Sequence, residues 1–129
     1  MNDPVARFLQ AVESATIPNC GVFSDDVALD ATVPNWRFSL SGRAAVEDEL
    51  AGWFADAGRF ESVRRAPLPE GELVEFTLTW EENGEPHMCH QLHALTLRDG
   101  RIARDLAFCG GRWDSALMAE MGAAPAVPA

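Results

Sequence analysis

The residues best suited to proton chemistry gather in one stretch, His87-Met88-Cys89-His90-Gln91-Leu92-His93, and Asp105 follows on the next segment. Imidazole is the side chain whose charge changes nearest neutral pH. A carboxylate buried in an apolar pocket has its charged form disfavoured, and a nearby imidazolium offsets that cost. His93 and Asp105, if neighbours, can therefore take a proton from carbon beside a carbonyl or deliver one to an oxygen. On paper His87, Cys89, His90 and His93 also resemble a metal cluster. On a strand, however, His90 points away from the other three. His87 and His93 would stand ~20 Å apart at ~3.3 Å per residue, too far for one ion. The expectation is no metal and no cofactor.

Absences narrow the chemistry further. The 129 residues include ten Arg, no Lys and no Tyr. That excludes a Schiff-base lysine, a phosphate-loop lysine and a phenolic acid. A net charge of -10 leaves no basic face for nucleic acid or an anionic membrane, so neither is an expected partner. The N-terminus shows no basic segment followed by an apolar stretch, and no apolar run reaches the ~18 residues of a membrane span. Cys20, Cys89 and Cys109 lack CxxC spacing and read as reduced thiols, with a Cys89–Cys109 bridge left open. The expected compartment is the cytoplasm. Cys109-Gly110-Gly111 has no evident base behind it and reads as a core thiol rather than a nucleophile.

The elements that must position these groups follow from periodicity. Asp3-Pro4 is a helix start, and Val5, Phe8, Leu9 and Val12 place a helix at residues 4–15. Residues 17–23 suggest a short helical turn. Alternation begins at Val27, giving a strand over 27–33 and a short second strand over 36–40. Asp30 then faces away from Leu29 and Ala31. Ser41-Gly42 opens a helix whose stripe is Val46, Leu50, Trp53, Phe54 and Ala57, with Gly58 as its end. Strands follow at 60–66, at 74–81, at 87–97 and at 102–109, and Asp114 is placed to cap a last helix. One domain over residues 1–121 is expected, with a disordered tail at 122–129. Helices followed by an antiparallel meander with one apolar face make an α+β pattern. A long curved sheet around two or three helices forms a cone with a pocket at its open end.

Register decides what faces that pocket. Asn83-Gly84 is a two-residue hairpin signal, which pairs Trp80 with His87, Leu78 with Cys89, Phe76 with Gln91 and Val74 with His93. The next turn is ambiguous. A three-residue Arg98-Asp99-Gly100 loop sets His93 beside Asp105, Gln91 beside Ala107 and Cys89 beside Cys109. A two-residue loop shifts every pairing by one and separates His93 from Asp105.

The segments "ARFLQAVE", "VFSDDVALDATVP", "LSGRAAVEDELAGWF", "FTLTWEENGEP" and "LHALTLRDGRIARDLAF", in that order, resemble the SnoaL-like branch of the nuclear-transport-factor-2-like superfamily. That branch includes polyketide cyclases, ketosteroid isomerases and limonene-epoxide hydrolases. The resemblance favours the three-residue loop. It implies a conical α+β barrel around an apolar pocket, and a homodimer. In relatives, an isomerase base aspartate falls on Ala31 and a first-helix tyrosine on Phe8. A hydrolase acidic residue falls on Ala107, and its arginine-aspartate pair falls near Val74 and Phe76. A hydrogen-bond donor to substrate oxygen falls on His93.

The resulting expectation is a cofactor-independent acid-base catalyst for a small apolar carbonyl compound, performing isomerisation, cyclisation or dehydration. His93 and Asp105 do the proton work and Gln91 orients the ligand. Trp53, Phe76, Leu78, Trp80, Ala31, Leu29, Phe8 and Ala107 line the pocket. The rival expectation is a non-catalytic module that binds an apolar ligand or dimerises, since Ala31 and Phe8 lack the isomerase side chains.

Overall fold

The Asp3 carboxylate accepts the Ala6 N–H at 3.0 Å and starts helix α1 (Pro4–Ser14), as its place before proline demands. The computed structural model describes residues 2–125. Val5, Phe8, Leu9 and Val12 form the buried face of α1, and Ala15 ends it in the left-handed conformation. The expected helical turn over 17–23 is instead a tight turn at Pro18-Asn19, in which the Cys20 N–H reaches the Ile17 carbonyl at 3.1 Å. Asn19 takes a positive φ of 58° there, which closes the turn without a further helical residue.

The remaining strands and helices are β1 (Phe23–Val33), β2 (Trp36–Ser41), α2 (Arg43–Trp53), β3 (Gly58–Leu68), β4 (Gly71–Glu82), β5 (Glu85–Arg98), β6 (Arg101–Asp114) and α3 (Ser115–Ala123). Helix α2 stops at Trp53, short of the expected stripe. Val46, Leu50 and Phe54 are buried, whereas Ala57 is exposed. Gly58 opens β3 instead of ending the helix. A Cβ there would stand 2.5 Å from the Thr79 carbonyl, so close approach of β3 to β4 explains the glycine. Asp114 caps α3 through the Leu117 N–H at 2.8 Å. That helix takes in residues 122 and 123, which the sequence suggested as tail; residues 126–129 lie outside the described residues.

The strands form a curved, unclosed six-stranded sheet in the order β2-β1-β6-β5-β4-β3. All neighbours are antiparallel except β1 and β6, which run parallel. With α1 and α2 packed on its inner face, this is a conical α+β fold. The core combines Phe8 and Val12 of α1 with Leu29, Phe76, Leu78 and Leu95 of the sheet. Strand β3 lies at one edge, and Arg59, Glu61, Arg64 and Arg65 leave it charged, which discourages pairing with another chain.

The β4–β5 register is the one the Asn83-Gly84 turn dictates, from Trp80 opposite His87 to Val74 opposite His93. The β5–β6 turn differs from expectation. Arg98 pairs with Arg101 around a two-residue Asp99-Gly100 turn, with φ 53° and 75°. A two-residue turn alone would put Asp105 on the wrong face. A β-bulge follows at once: Leu97 pairs with Ile102, but Thr96 pairs with Arg104. The extra residue, Ala103, returns Asp105 to the inner face.

Candidate active site

Strand β5 turns Cys89, Gln91, His93 and Leu95 inward, and β6 turns Asp105 and Ala107 toward them. The direct partner of His93 is Ala107, not Asp105, and Gln91 sits opposite Cys109 rather than Ala107. Asp105 is opposite Leu95, one step along the diagonal from His93. Diagonal side chains start roughly 7–8 Å apart, a gap an imidazole can span. His93 Nδ1 lies 2.8 Å from Asp105 Oδ1 and 2.9 Å from Oδ2. Both side chains are 0% exposed.

The other ring nitrogen is also engaged. His93 Nε2 lies 2.8 Å from Gln91 Oε1. The imidazole is stacked on Phe76, with centroids 5.6 Å apart and planes 14° apart, and Phe8 meets it edge-on at 5.4 Å. Asp105, His93 and Gln91 therefore form one buried hydrogen-bonded chain. Its free end is the Gln91 amide nitrogen, 3.6 Å from Cys89 Sγ and 3.4 Å from Cys109 Sγ.

That end meets a cavity of about 310 Å³ at the open end of the sheet. Val33, Pro34, Gly52, Trp53, Trp80, Cys89, Gln91, Cys109, Gly111 and Arg112 line it. The volume is at the small end for a ligand site, equal to about ten waters at ~30 Å³ each. Arg112 stands over the Trp80 ring at 5.1 Å and pairs with Glu82, which also accepts the Trp80 indole N–H at 3.2 Å. That indole bond, with Arg112, holds the Glu82 carboxyl below the usual carboxylate range. Burial, with Cys109 adding to it, pushes the Cys89 thiol up to about 12, so it is neutral near pH 7. Cys20, Cys89 and Cys109 are all free thiols, and Cys89 lies opposite Arg112 rather than Cys109. A broader groove of about 410 Å³ crosses the other side of the sheet by Leu68, Ala94, Thr96 and Arg104, without such a buried chain behind it.

Of the residues singled out from sequence, Gln91, Trp53 and Trp80 line the cavity. His93, Asp105, Phe8, Leu29, Ala31, Phe76, Leu78 and Ala107 are buried in the core behind it and do not reach its wall. Arg112 and Gly111 are wall residues that periodicity did not reveal. The signal for them was the Gly110-Gly111 pair, since paired glycines late in a strand mark a bulge. Between Gln91–Cys109 and Cys89–Arg112, β6 does carry an extra residue, and Gly111 has φ 121°. His90 faces the opposite side, where Thr77 Oγ1 and Glu75 Oε2 hold it at 2.8 and 3.0 Å. His87 stacks on Trp80 instead, and Asp30 is bound outside the core by Arg37 at 2.8 Å. Among the described residues no three metal-binding side chains converge, and no helix is long and apolar enough to cross a membrane.

No protein-family model and no curated protein matches the sequence. Solved structures do match the fold. A provisionally named isomerase from Bacillus subtilis superposes with a TM-score of 0.68 at 15% identity, over 83% of this chain and 84% of that one. A provisionally named polyketide cyclase from Xanthomonas campestris gives 0.64 at 18% identity, over 81% and 86%. A protein described as NTF2-like from Anabaena variabilis gives 0.69 at 11% identity, over 84% of each chain. The chain thus has the nuclear-transport-factor-2-like fold: a cone of sheet and helices with a small cavity at its open end. The polar group that this chain sets into the cavity wall is Gln91, backed by His93 and Asp105.

Proposed function

We propose that this protein is a small-molecule enzyme that moves protons on a compact, largely apolar carbonyl compound without a cofactor, by isomerisation, cyclisation or dehydration. The observation that carries this reading is the unbroken Asp105–His93–Gln91 chain ending at the cavity. Two structural neighbours are provisionally named for such chemistry, an isomerase and a polyketide cyclase, which supports the class. The Gln91 amide donates to the substrate carbonyl oxygen. As Gln91 turns toward the substrate it leaves His93 Nε2 free to exchange a proton with it. The turn gives up the 2.8 Å bond to His93 Nε2 and the weak sulfur contacts of the amide, and the new bond to the substrate oxygen offsets that loss. Asp105 holds Nδ1 and stabilises the imidazolium while His93 carries the proton. Trp53 and Trp80 keep water from the reacting carbon.

The second reading is a binding module, favoured by the complete burial of His93 and Asp105 and by the occupied Nε2. Incubation with small cyclic and unsaturated ketones in D₂O separates the two. Wild type is expected to speed hydrogen–deuterium exchange at carbon beside the carbonyl by about 10²–10⁴ over a folded His93→Gln variant. Ketones that raise the Tm of wild type yet exchange no faster than with His93→Gln would leave the binding module standing and remove the enzyme.

A further inference from the structure

The donor–acceptor arithmetic of the buried chain carries a consequence for ligand choice. With the Gln91 amide oriented so that Oε1 meets His93 Nε2, at 2.8 Å, a proton lies on Nε2, because a carbonyl oxygen only accepts. The Asp105–Nδ1 contact at 2.8 Å holds another proton, on the ring or on the carboxyl. The pair thus contains two protons and no net charge, which suits a site at 0% exposure. When one proton leaves to solvent, Nδ1–H stays on the carboxylate and Nε2 becomes a bare lone pair. It then repels Oε1. Reversing the Gln91 amide restores the bond, with amide N–H on Nε2 and the carbonyl directed at the cavity and its thiols.

We propose that Gln91 determines which oxygen chemistry the cavity accepts: it offers an N–H while the His93–Asp105 pair holds two protons, and a carbonyl when the pair holds one. The ligand for the first state is a hydrogen-bond acceptor such as a ketone; for the second it is a donor such as a hydroxyl. This rests on the cavity being the ligand site but not on turnover. The ionisable groups facing Gln91 and the pair are Cys89 on β5 and Cys109 and Arg112 on β6. Phe8 on α1 and Phe76 on β4 pack against the imidazole, and Leu29 on β1 lies opposite Asp105; none of these ionises. Cys89 stays neutral through the neutral range.

The test uses the whole chain with isotope-labelled Gln and His, and two unreactive probes, cyclohexanone as acceptor and phenol as donor. NMR follows the Gln91 side-chain amide and the His93 ring from pH 4 to 9. Both are expected to move with one midpoint. Cyclohexanone affinity should fall about fivefold through that midpoint, and phenol affinity should rise about as much, the equivalent of one hydrogen bond. Gln91→Met should remove both pH dependences. A Gln91 amide that stays fixed while His93 titrates overturns the proposal, as does a His93 ring that never titrates in the range. Equal pH trends for both probes, or no binding of either at 10 mM, overturn the ligand selection. Failure of ketone exchange, by contrast, removes only the enzyme reading.

Discussion

Replacing His93 by leucine tests the energetics of the buried pair. The variant keeps an apolar side chain between Phe8 and Phe76 but leaves Asp105 at 0% exposure without its partner. Removing one member of a buried pair costs about 3–5 kcal/mol, mostly as the burial penalty of the charge left behind. At roughly 3–5 °C per kcal/mol for a chain of this size, the Tm should fall by about 10–20 °C near pH 8. The loss has a definite pH sign. Without the imidazole, complete burial disfavours the charged form of the carboxyl left behind. The folded variant then binds more protons than the unfolded chain, so its stability falls as pH rises, by up to about 1.4 kcal/mol per unit until the folded carboxyl ionises. Urea unfolding read by tryptophan fluorescence at pH 5 and pH 8 should show the wider gap from wild type at pH 8. The double variant His93→Leu/Asp105→Leu should return to within about 1 kcal/mol of wild type, since an apolar replacement carries no charge to bury. A loss below about 1 kcal/mol at pH 8, an equal gap at both pH values, or a double variant weaker than the single one would refute the reasoning.

Further outcomes are expected at Cys89, Asp3, Gly71 and Gly52. Cys89, pushed up to about 12 by burial, should resist iodoacetamide at pH 8 in the native state by mass spectrometry. Stability should also fall from about pH 8.5 toward 12, because the unfolded thiol ionises first. Asp3→Ala should cost about 1 kcal/mol and Asp3→Asn less, since asparagine still caps. The Ala6 N–H first, then Arg65, holds the Asp3 carboxyl below its usual range, so this contribution is present above about pH 4 and fades on acidification, which urea unfolding at pH 7 and pH 2.5 will show. Gly71→Ala should abolish or severely weaken folding, because a Cβ there would stand 1.8 Å from the Leu95 carbonyl. Gly52→Ala meets nothing within 4 Å and should gain roughly 0.5–1 kcal/mol in the same assay.

The parts of this molecule legible in its sequence are those set by local signals. Asn83-Gly84 takes positive φ at both residues, and the β4–β5 register follows from that turn through twelve residue pairs, from Glu82–Glu85 to Gly71–Thr96. Asp3-Pro4 and Asp114 mark helix starts through side chains bonding backbone three residues on. What escaped depends on residues that break a period. Ala103 carries no turn or glycine signal, yet its insertion decides that His93 and Asp105 meet. A three-residue loop and a two-residue turn followed by a bulge put His93 and Asp105 on the same face, because only the parity of the register decides which face a side chain takes. The capping of His93 Nε2 by Gln91 was not legible at all, because residues two apart on a strand share a face without any rule saying that their polar atoms touch.

The parallel contact between β1 and β6 has a consequence for how the chain acquires this shape. Strands β3 to β6 follow one another across the sheet through short turns, and β1 with β2 makes a separate hairpin. The two halves meet at the β1–β6 seam, where Ala31 pairs with Ala107 and Leu29 with Asp105, partners separated by most of the chain. Closing so long a loop is entropically costly and comes slowly. Refolding speed should therefore respond to changes at this seam more than to changes at either hairpin turn.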